Sequence, residues 1–362
     1  MHLGIVSRHL PDPDGTSSGR ILWALCRGLL QDGHRVDVCS WWPEPPVREL
    51  PDWCQWQPLP AESRLGAKVR GLIRPRWESI RLDWEPPAGA LAVADDPLSF
   101  PAVRTARPSV LTQHYLTQLD RDALGHWRRK DYQDHRSERW NVRHAGIVLA
   151  YSERVARALP APAFAVPMAY EAPEEPLPIV EAPVAALIAN WDWAPNRQAL
   201  EWLLRCWPEV RRRVPGARLM VAGRNSDQIA PGPLAGVEML GPVTDSTEVL
   251  SQAAVMPFPC PDSSGPKVKV LEALALGLPV VTTAAGAEGL AVADGRDIAL
   301  APVDDFAAAL ADLLLDVERR AAMGRAGRQA LIDHHAPLPA ARARIAILTR
   351  ALELLGEPGG RR

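Results

Sequence analysis

The chain has 362 residues, and at about 150 residues per domain that length reads as two domains, each able to bury its own core. Lys and Arg number 41 against 43 Asp and Glu, a net charge of −2 that gives no ground for nucleic acid or another acidic polymer as the main partner. A hydrophobic content of 47% with 23% charged residues describes a folded chain and argues against a disordered one.

Met1-His2-Leu3-Gly4-Ile5-Val6 lacks the charged and apolar regions of a signal peptide and reads as a first strand over about 2–7. After the Pro11–Gly15 loop, Ser17 and Ser18 are candidate N-caps for a helix with Ile21, Leu22, Leu25 and Leu29 at helical spacing, which Gly33 ends. Val36-Asp37-Val38 is the next strand, so the unit is strand, glycine-containing loop, helix and strand, with parallel pairing. Residues 43–60 are rich in Pro and Trp and irregular, and Arg64–Arg76 is a basic amphipathic segment. Its amphipathicity fits a solvated helix covering the sheet better than one lying on an anionic bilayer, so membrane contact is open and not favoured. Apolar stretches near 90–94, 109–112 and 146–150 are buried strands. Trp41, Trp42, Trp53, Trp56, Trp77 and Trp84 crowd this half, and packing is expected to occupy most of them. Asp95-Asp96 reads as a strand-end loop and not as a metal site, since no second carboxylate cluster accompanies it.

Prolines recur from Ala161 to Pro183, which disfavours helix and central strand and marks a linker. The alternation then restarts: strand 184–189, Asn196 as N-cap, helix 197–214, strands 218–222 and 237–240, helix 247–253, strand 254–258, helix 268–276 and strand 279–283. Such alternation implies a second doubly wound α/β domain, with ligands expected in a cleft between the domains at the carboxyl ends of both sheets. The five cysteines are scattered and form no C-x-x-C pair, which fits a reducing cytoplasm, and no apolar run approaches the roughly 18 residues of a membrane span.

Chemistry concentrates at Ser264-Gly265-Pro266-Lys267-Val268-Lys269, where a glycine-containing loop enters a helix whose free N–H groups and dipole favour a phosphate. Only four lysines occur in the chain, Lys68, Lys130, Lys267 and Lys269, and two of them stand here. Lysine's compact charge suits a diphosphate, whereas two cations in a solvated first turn would oppose the dipole. Glu272, the next turn on, is placed to accept from ribose hydroxyls or to pair with a lysine. Gly15-Thr16-Ser17-Ser18-Gly19 permits close backbone approach to a phosphate or sugar, though an ordinary loop with serine N-caps fits the same spacing. His114 follows the apolar run Val110-Leu111-Thr112 at a strand's carboxyl end.

The stretch from Ser264 to Val281, followed by Gly286-Ala287-Glu288-Gly289-Leu290, resembles the carboxyl-terminal signature of the GT-B glycosyltransferases of family 4, the "group 1" nucleotide-sugar transferases. Asn190–Asn196 and Pro215–Gly223 match a subgroup of that family in order and spacing. The resemblance covers residues 184–335 and, more weakly, Gly15, Gly33-His34-Arg35-Val36 and Ala150-Tyr151-Ser152-Glu153. It implies a GT-B architecture: residues 1–165 as an acceptor-binding Rossmann-like domain, 166–183 as linker, 184–337 as the nucleotide-sugar domain, and 338–362 as a helix returning to the first domain. It also implies a retaining transfer from a nucleoside diphosphate sugar to an acceptor hydroxyl, without a metal or other cofactor. Lys267 and Lys269 would stabilise the leaving diphosphate, and Glu272 matches the second glutamate of the family's paired motif, with Ser264 in place of the first. Trp191 stands where the family has an arginine, and Arg197 is the best substitute for its lysine. Pro242 and Val243 would lie near the nucleobase with Arg224 beside them, while Asn190, Gly265, Gly15 and Thr16 would line the donor. Thr16 replaces the second glycine of the family's pair, and His114 looks like its active-site histidine, in contact with the donor sugar. The acceptor is expected to be a small molecule, a natural product or a nucleoside. A lipid or surface-polysaccharide acceptor and a nucleotide-sugar epimerase are the alternatives, and a nicotinamide oxidoreductase lacks its G-x-G-x-x-G.

Overall fold

The computed structural model describes residues 1–41, 45, 46, 48–58, 82, 84–125, 129–229 and 235–356, so the Arg64–Arg76 segment, Trp42 and Trp77 lie outside the described residues. The chain divides into two compact units, one within Met1–Arg121, His126–Glu171 and His335–Arg362, the other within Asp122–Gly125 and Ala172–His334.

The first unit runs β1 (His2–Ser7), α1 (Ser17–Gln31), β2 (Arg35–Ser40), β3 (Cys54–Trp56), β4 (Leu91–Ala94), α2 (Phe100–Val103), β5 (Ser109–Gln113), α3 (Thr117–Leu124), α4 (Arg129–His144), β6 (Ile147–Ala150), α5 (Glu153–Ala158) and β7 (Phe164–Ala165). The strands form one parallel sheet in the order β3-β2-β1-β4-β5-β6-β7. Leu3, Ile5, Val6, Val93, Val110, Leu111 and Leu149 are buried, as a sheet covered on both faces requires. The strand order reverses between β1 and β4, whose carboxyl ends lead into Arg8 and into Asp95-Asp96. The cap of helix α1 stands one residue before the serines expected to provide it. Thr16 has extended φ and ψ and its hydroxyl accepts the Gly19 N–H at 3.3 Å, while Ser17 and Ser18 are already helical. Within the proline-rich stretch, Phe164–Ala165 still pairs with β6, because an edge strand needs partners on one side only.

The second unit runs β8 (Val184–Ile188), α6 (Ala194–Arg213), β9 (Arg218–Ala222), β10 (Val237–Gly241), α7 (Ser246–Leu250), β11 (Met256–Phe258), α8 (Val268–Ala275), β12 (Val280–Thr282), β13 (Ala299–Leu300), α9 (Phe306–Leu315) and α10 (Val317–His334). Its parallel strands order as β10-β9-β8 and β11-β12-β13, joined by a bridge from Ala185 to Val255. This sheet also reverses, between β8 and β11. Helix α6 starts earlier than expected: Trp193 is the N-cap, Pro195 fits the first turn, and Asn196 is helical rather than capping.

The terminal helix α11 (Pro337–Gly356) returns to the first unit, as expected, and packs along α1. Arg342 donates to Asp32 at 2.7 Å, and Gly28 admits the backbone of Pro337, since a Cβ at Gly28 would stand 1.8 Å from the Pro337 carbonyl oxygen.

Candidate functional site

In the second unit the loop after β11 carries Gly265 at φ +75° into α8, with Lys267 as N-cap. The expectation that Lys267 reaches a ligand meets a correction here. Its side chain turns back under its own loop and Nζ donates to the carbonyls of Ser263, at 3.3 Å, Ser264, at 3.1 Å, and Gly265. An ammonium has three donors, and all three are satisfied by carbonyls of the turn, so Lys267 builds the loop instead of gripping an anion. Ser264 is buried in that loop, and the Gly265 amide donates to Glu288 at 3.0 Å.

Lys269, in the first turn of α8, is the lysine left for a ligand. Its Nζ donates to Asn196 Oδ1 at 2.7 Å and lies 4.1 Å from the Phe258 ring centroid and 6.0 Å from that of Trp193. Two aromatic faces and an amide carbonyl hold the cation in a partly desolvated place. Burial, the largest cause, pushes its ammonium down to about 8, and the charge of Lys267 works in the same direction. Neither ammonium stands in open water.

Glu272 is one turn further on, and the Ser246 hydroxyl donates to its Oε1 at 2.7 Å. Ser246 opens α7, so this contact draws the β10–α7 loop, with Pro242 exposed and Val243 half-buried, up to α8. Asp245 caps α7 by accepting the Thr247 N–H at 2.8 Å. Asn190, just beyond β8, is exposed, and its Oδ1 accepts the Asp192 N–H at 3.0 Å. The Asn190 carbonyl takes Asn196 Nδ2 at 2.8 Å, which connects it to Lys269 through Asn196. Arg197 and Arg224 are exposed, and no contact joins either guanidinium to this cluster. Trp191, at the position of the family's arginine, is core, its Nε1 donating to the Ala222 carbonyl at 2.9 Å.

In the first unit the loop before α1 is packed tightly on itself: the Gly15 amide donates to the Asp12 carbonyl, and a Cβ at Gly19 would stand 2.5 Å from the Leu10 carbonyl oxygen. Gly15 and Thr16 thus serve the local fold, Thr16 as a cap. His114 follows β5, and its Nε2 lies 2.6 Å from the Asp95 carbonyl, a geometry that assigns the ring proton to Nε2 and leaves Nδ1 as acceptor. The Tyr151 ring meets the imidazole edge-on at 5.0 Å. Nearby His9 is pushed down to about 4, chiefly by burial, and burial raises Asp95. Asp96 accepts from the amides of Arg8, Leu98 and Ser99 and from the Ser99 hydroxyl, which fits a strand-end loop. Among the described residues no group of three or more His, Cys, Asp or Glu could hold a metal.

Sequence reasoning missed Asn196 as a side-chain bridge, and it missed Phe258 and Ser246; Glu288 stood in the quoted signature, without its contact to the Gly265 amide. Asn196 was visible but read as a cap, whereas Phe258 and Ser246 come from other elements and carry no local signal.

Residues 182–317 match the family described as Glycosyl transferases group 1. A GDP-mannose-dependent alpha-(1-6)-phosphatidylinositol monomannoside mannosyltransferase of Mycolicibacterium smegmatis is 31% identical over 156 residues, covering 38% of this chain and 41% of that relative's length. Among solved structures, HepE of Anabaena with UDP and glucose superposes with a TM-score of 0.64 at 14% identity, over 96% of this chain and 99% of that one. WaaG, a glycosyltransferase involved in lipopolysaccharide biosynthesis, gives 0.60 at 14% identity over 95% and 99%. S. aureus TarM gives 0.58 at 15% identity, over 74% of this chain and 55% of that one. At these identities the structural likenesses speak for the fold, and the matched segment speaks for the family. Both agree with the reversal of each sheet and with the polar cluster at the mouth of α8: residues 182–317 carry a Glycosyl transferases group 1 domain, and the chain has the GT-B fold.

Proposed function

We propose that this protein transfers a glycosyl group from a nucleoside diphosphate sugar to an acceptor hydroxyl, with retention at the anomeric carbon. The observation that carries this reading is the pairing of Lys269 and Glu272 on adjacent turns of α8, inside the family-matched segment, with Glu272 tied to the β10–α7 loop. Lys269 and the N-terminus of α8 meet the charge that grows on the diphosphate as its bond to the glycosyl carbon breaks. Glu272 and the Pro242–Val243 loop take the nucleoside. The acceptor oxygen bonds to the same face of the carbon, and its proton passes to the departing phosphate oxygen. His114 Nδ1 accepts from a donor-sugar hydroxyl. Charge stabilisation is assigned to these groups and not to a metal.

A small soluble hydroxyl compound is the acceptor we infer, in the cytoplasm. A lipid-linked acceptor is the second reading, favoured by the phosphatidylinositol monomannoside in the relative's name. No described helix is long and apolar enough to cross a membrane.

The test is a thermal-shift series with UDP, GDP, ADP and dTDP, repeated on Lys269→Ala. One diphosphate should raise Tm in the natural chain and not in the variant. No shift with any of the four would count against the reading. Incubating the preferred nucleotide sugar with soluble alcohols and, in parallel, with glycolipid vesicles then separates the acceptors, and epimer formed without acceptor would reveal an epimerase.

A further inference from the structure

The terminal helix places a charged side chain behind His114. Arg344 is 2% exposed, and its guanidinium donates from Nη1 to Thr112 Oγ1 at 3.2 Å and from Nη2 to the Tyr151 hydroxyl at 3.1 Å. The same guanidinium lies 5.5 Å from the Tyr151 ring centroid, and its Nε has no hydrogen-bond partner. Neutral oxygens take its hydrogen bonds, and the buried Asp95 carboxylate acts on it only through space, so the cation is held at a desolvation cost. As a mere fastener it is a poor choice, because an aliphatic side chain would dock the helix by burial without that cost.

What Arg344 touches bears on His114. Thr112, in β5, lies two residues before His114 on the same stretch of backbone. Tyr151 is the ring that stands edge-on against the imidazole. With the tyrosine hydroxyl held by the guanidinium, that ring forms a fixed wall. The imidazole is then restricted to the orientation in which Nε2–H meets the Asp95 carbonyl. Rotation would break that bond, and the opposite tautomer would bring two acceptors together.

We propose that Arg344 is a positioning residue for His114, acting through Tyr151 and Thr112 to fix the orientation and tautomer of the imidazole. The terminal helix is thereby part of the site's machinery as well as of the fold. The proposal rests on the reading of His114 as a donor-sugar contact only where turnover is measured. The ring geometry can be tested without any ligand.

The experiment is nitrogen-15 NMR of the imidazole rings in the full-length chain at a pH where they are neutral, with the His114 signals identified by their loss in His114→Gln. The natural chain should show a single Nε2–H tautomer. Arg344→Met should show mixed tautomers, and Arg344→Lys an intermediate pattern. Tyr151→Phe, which keeps the ring and loses the hydroxyl, should move the signals in the same direction and serves if Arg344→Met does not fold. Unchanged His114 signals in a folded Arg344 or Tyr151 variant would overturn the proposal. With UDP-glucose and GDP-mannose as donors, Arg344→Met should lower kcat by about tenfold or more with little change in donor KM. In a His114→Ala background the same substitution should change kcat less than about twofold. Equal losses in both backgrounds would overturn positioning while leaving the site intact. Full turnover by His114→Ala would instead count against the donor-contact reading, with the NMR result still deciding the ring geometry.

Discussion

Asn196, in the first turn of α6, accepts a hydrogen bond at 2.7 Å from the ammonium of Lys269, in the first turn of α8, across 73 residues of chain. The amide is itself held, since its Nδ2 donates to the Asn190 carbonyl. The cation at the mouth of α8 is therefore aimed by a neutral acceptor and keeps its full charge for a ligand. Lys269→Ala should lose turnover by about 2–4 kcal/mol, the cost of a missing charge-stabilising donor. Asn196→Ala should lose less, roughly 1–2 kcal/mol, because the charge remains and only its placement suffers. Asn196→Asp places a carboxylate on the lysine and should be worse than alanine. Steady-state kinetics of the three variants check the order, and an aspartate variant as active as the natural chain would refute the argument.

The same enclosure makes ligand binding depend on pH. Burial holds the Lys269 ammonium down to about 8, so it is charged below that value and neutral above it. Affinity for a nucleoside diphosphate should be full near neutrality and fall as pH rises through about 8–9, with a limiting slope of one proton. Lys269→Arg keeps its charge across the range and should flatten the slope even if it binds more weakly. Calorimetric titration of the preferred diphosphate at several pH values measures both.

Lys267 and Lys269 should respond to methionine in opposite directions. Lys267→Met strips the carbonyls of Ser263, Ser264 and Gly265 of their buried donor and should lower stability by roughly 3 kcal/mol. Lys269→Met removes a charge that burial disfavours and should raise Tm near neutral pH while abolishing diphosphate binding. Thermal denaturation of the two variants side by side decides the assignment of loop builder and ligand group.

The strand and helix alternation was legible because both sheets are buried and their strands read as short apolar runs, and Glu272 and Lys269 were legible because a glycine-containing loop announced the start of α8. The direction of the Lys267 side chain was not. A lysine that caps its own loop and a lysine that holds a ligand have the same spacing, and only the three carbonyls facing Lys267 decide between them. The start of α6 was misplaced because Pro195 is tolerated in a first helical turn, which let Trp193 take the cap and freed Asn196 for Lys269. Arg344 sits on a helix with several arginines, and the fold alone shows that this one is buried.

Gly28 marks where α11 meets α1. Its absent Cβ would fall 1.8 Å from the Pro337 carbonyl oxygen and 3.0 Å from the Ala341 Cβ. Gly28→Ala gains helix propensity in α1, worth up to about 1 kcal/mol, yet it must push the terminal helix outward. The steric term should win, giving a net loss of about 1–3 kcal/mol. Urea denaturation measures it, and a variant more stable than the natural chain would mean that the two helices do not approach so closely.

Glu138 in α4 carries a second pH dependence, one of stability. It is buried, and its carboxylate accepts the Thr117 hydroxyl at 2.7 Å and the Thr117 N–H at 3.2 Å. Burial nonetheless pushes it up to about 8, with Asp134 and Asp120 adding to the shift against the relief from Thr117. In the unfolded chain the same carboxyl titrates near its ordinary value of about 4.5, so between the two values the folded state binds the extra proton. Stability from this group is full below about 4.5 and is lost as pH rises towards 8, by an amount on the order of a few kcal/mol. Glu138→Gln keeps an acceptor for Thr117 and cannot ionise, so its Tm should exceed that of the natural chain by more at pH 8 than at pH 5. Parallel Tm curves across that range would mean that the carboxyl is already ionised in the fold, with water or a cation reaching it.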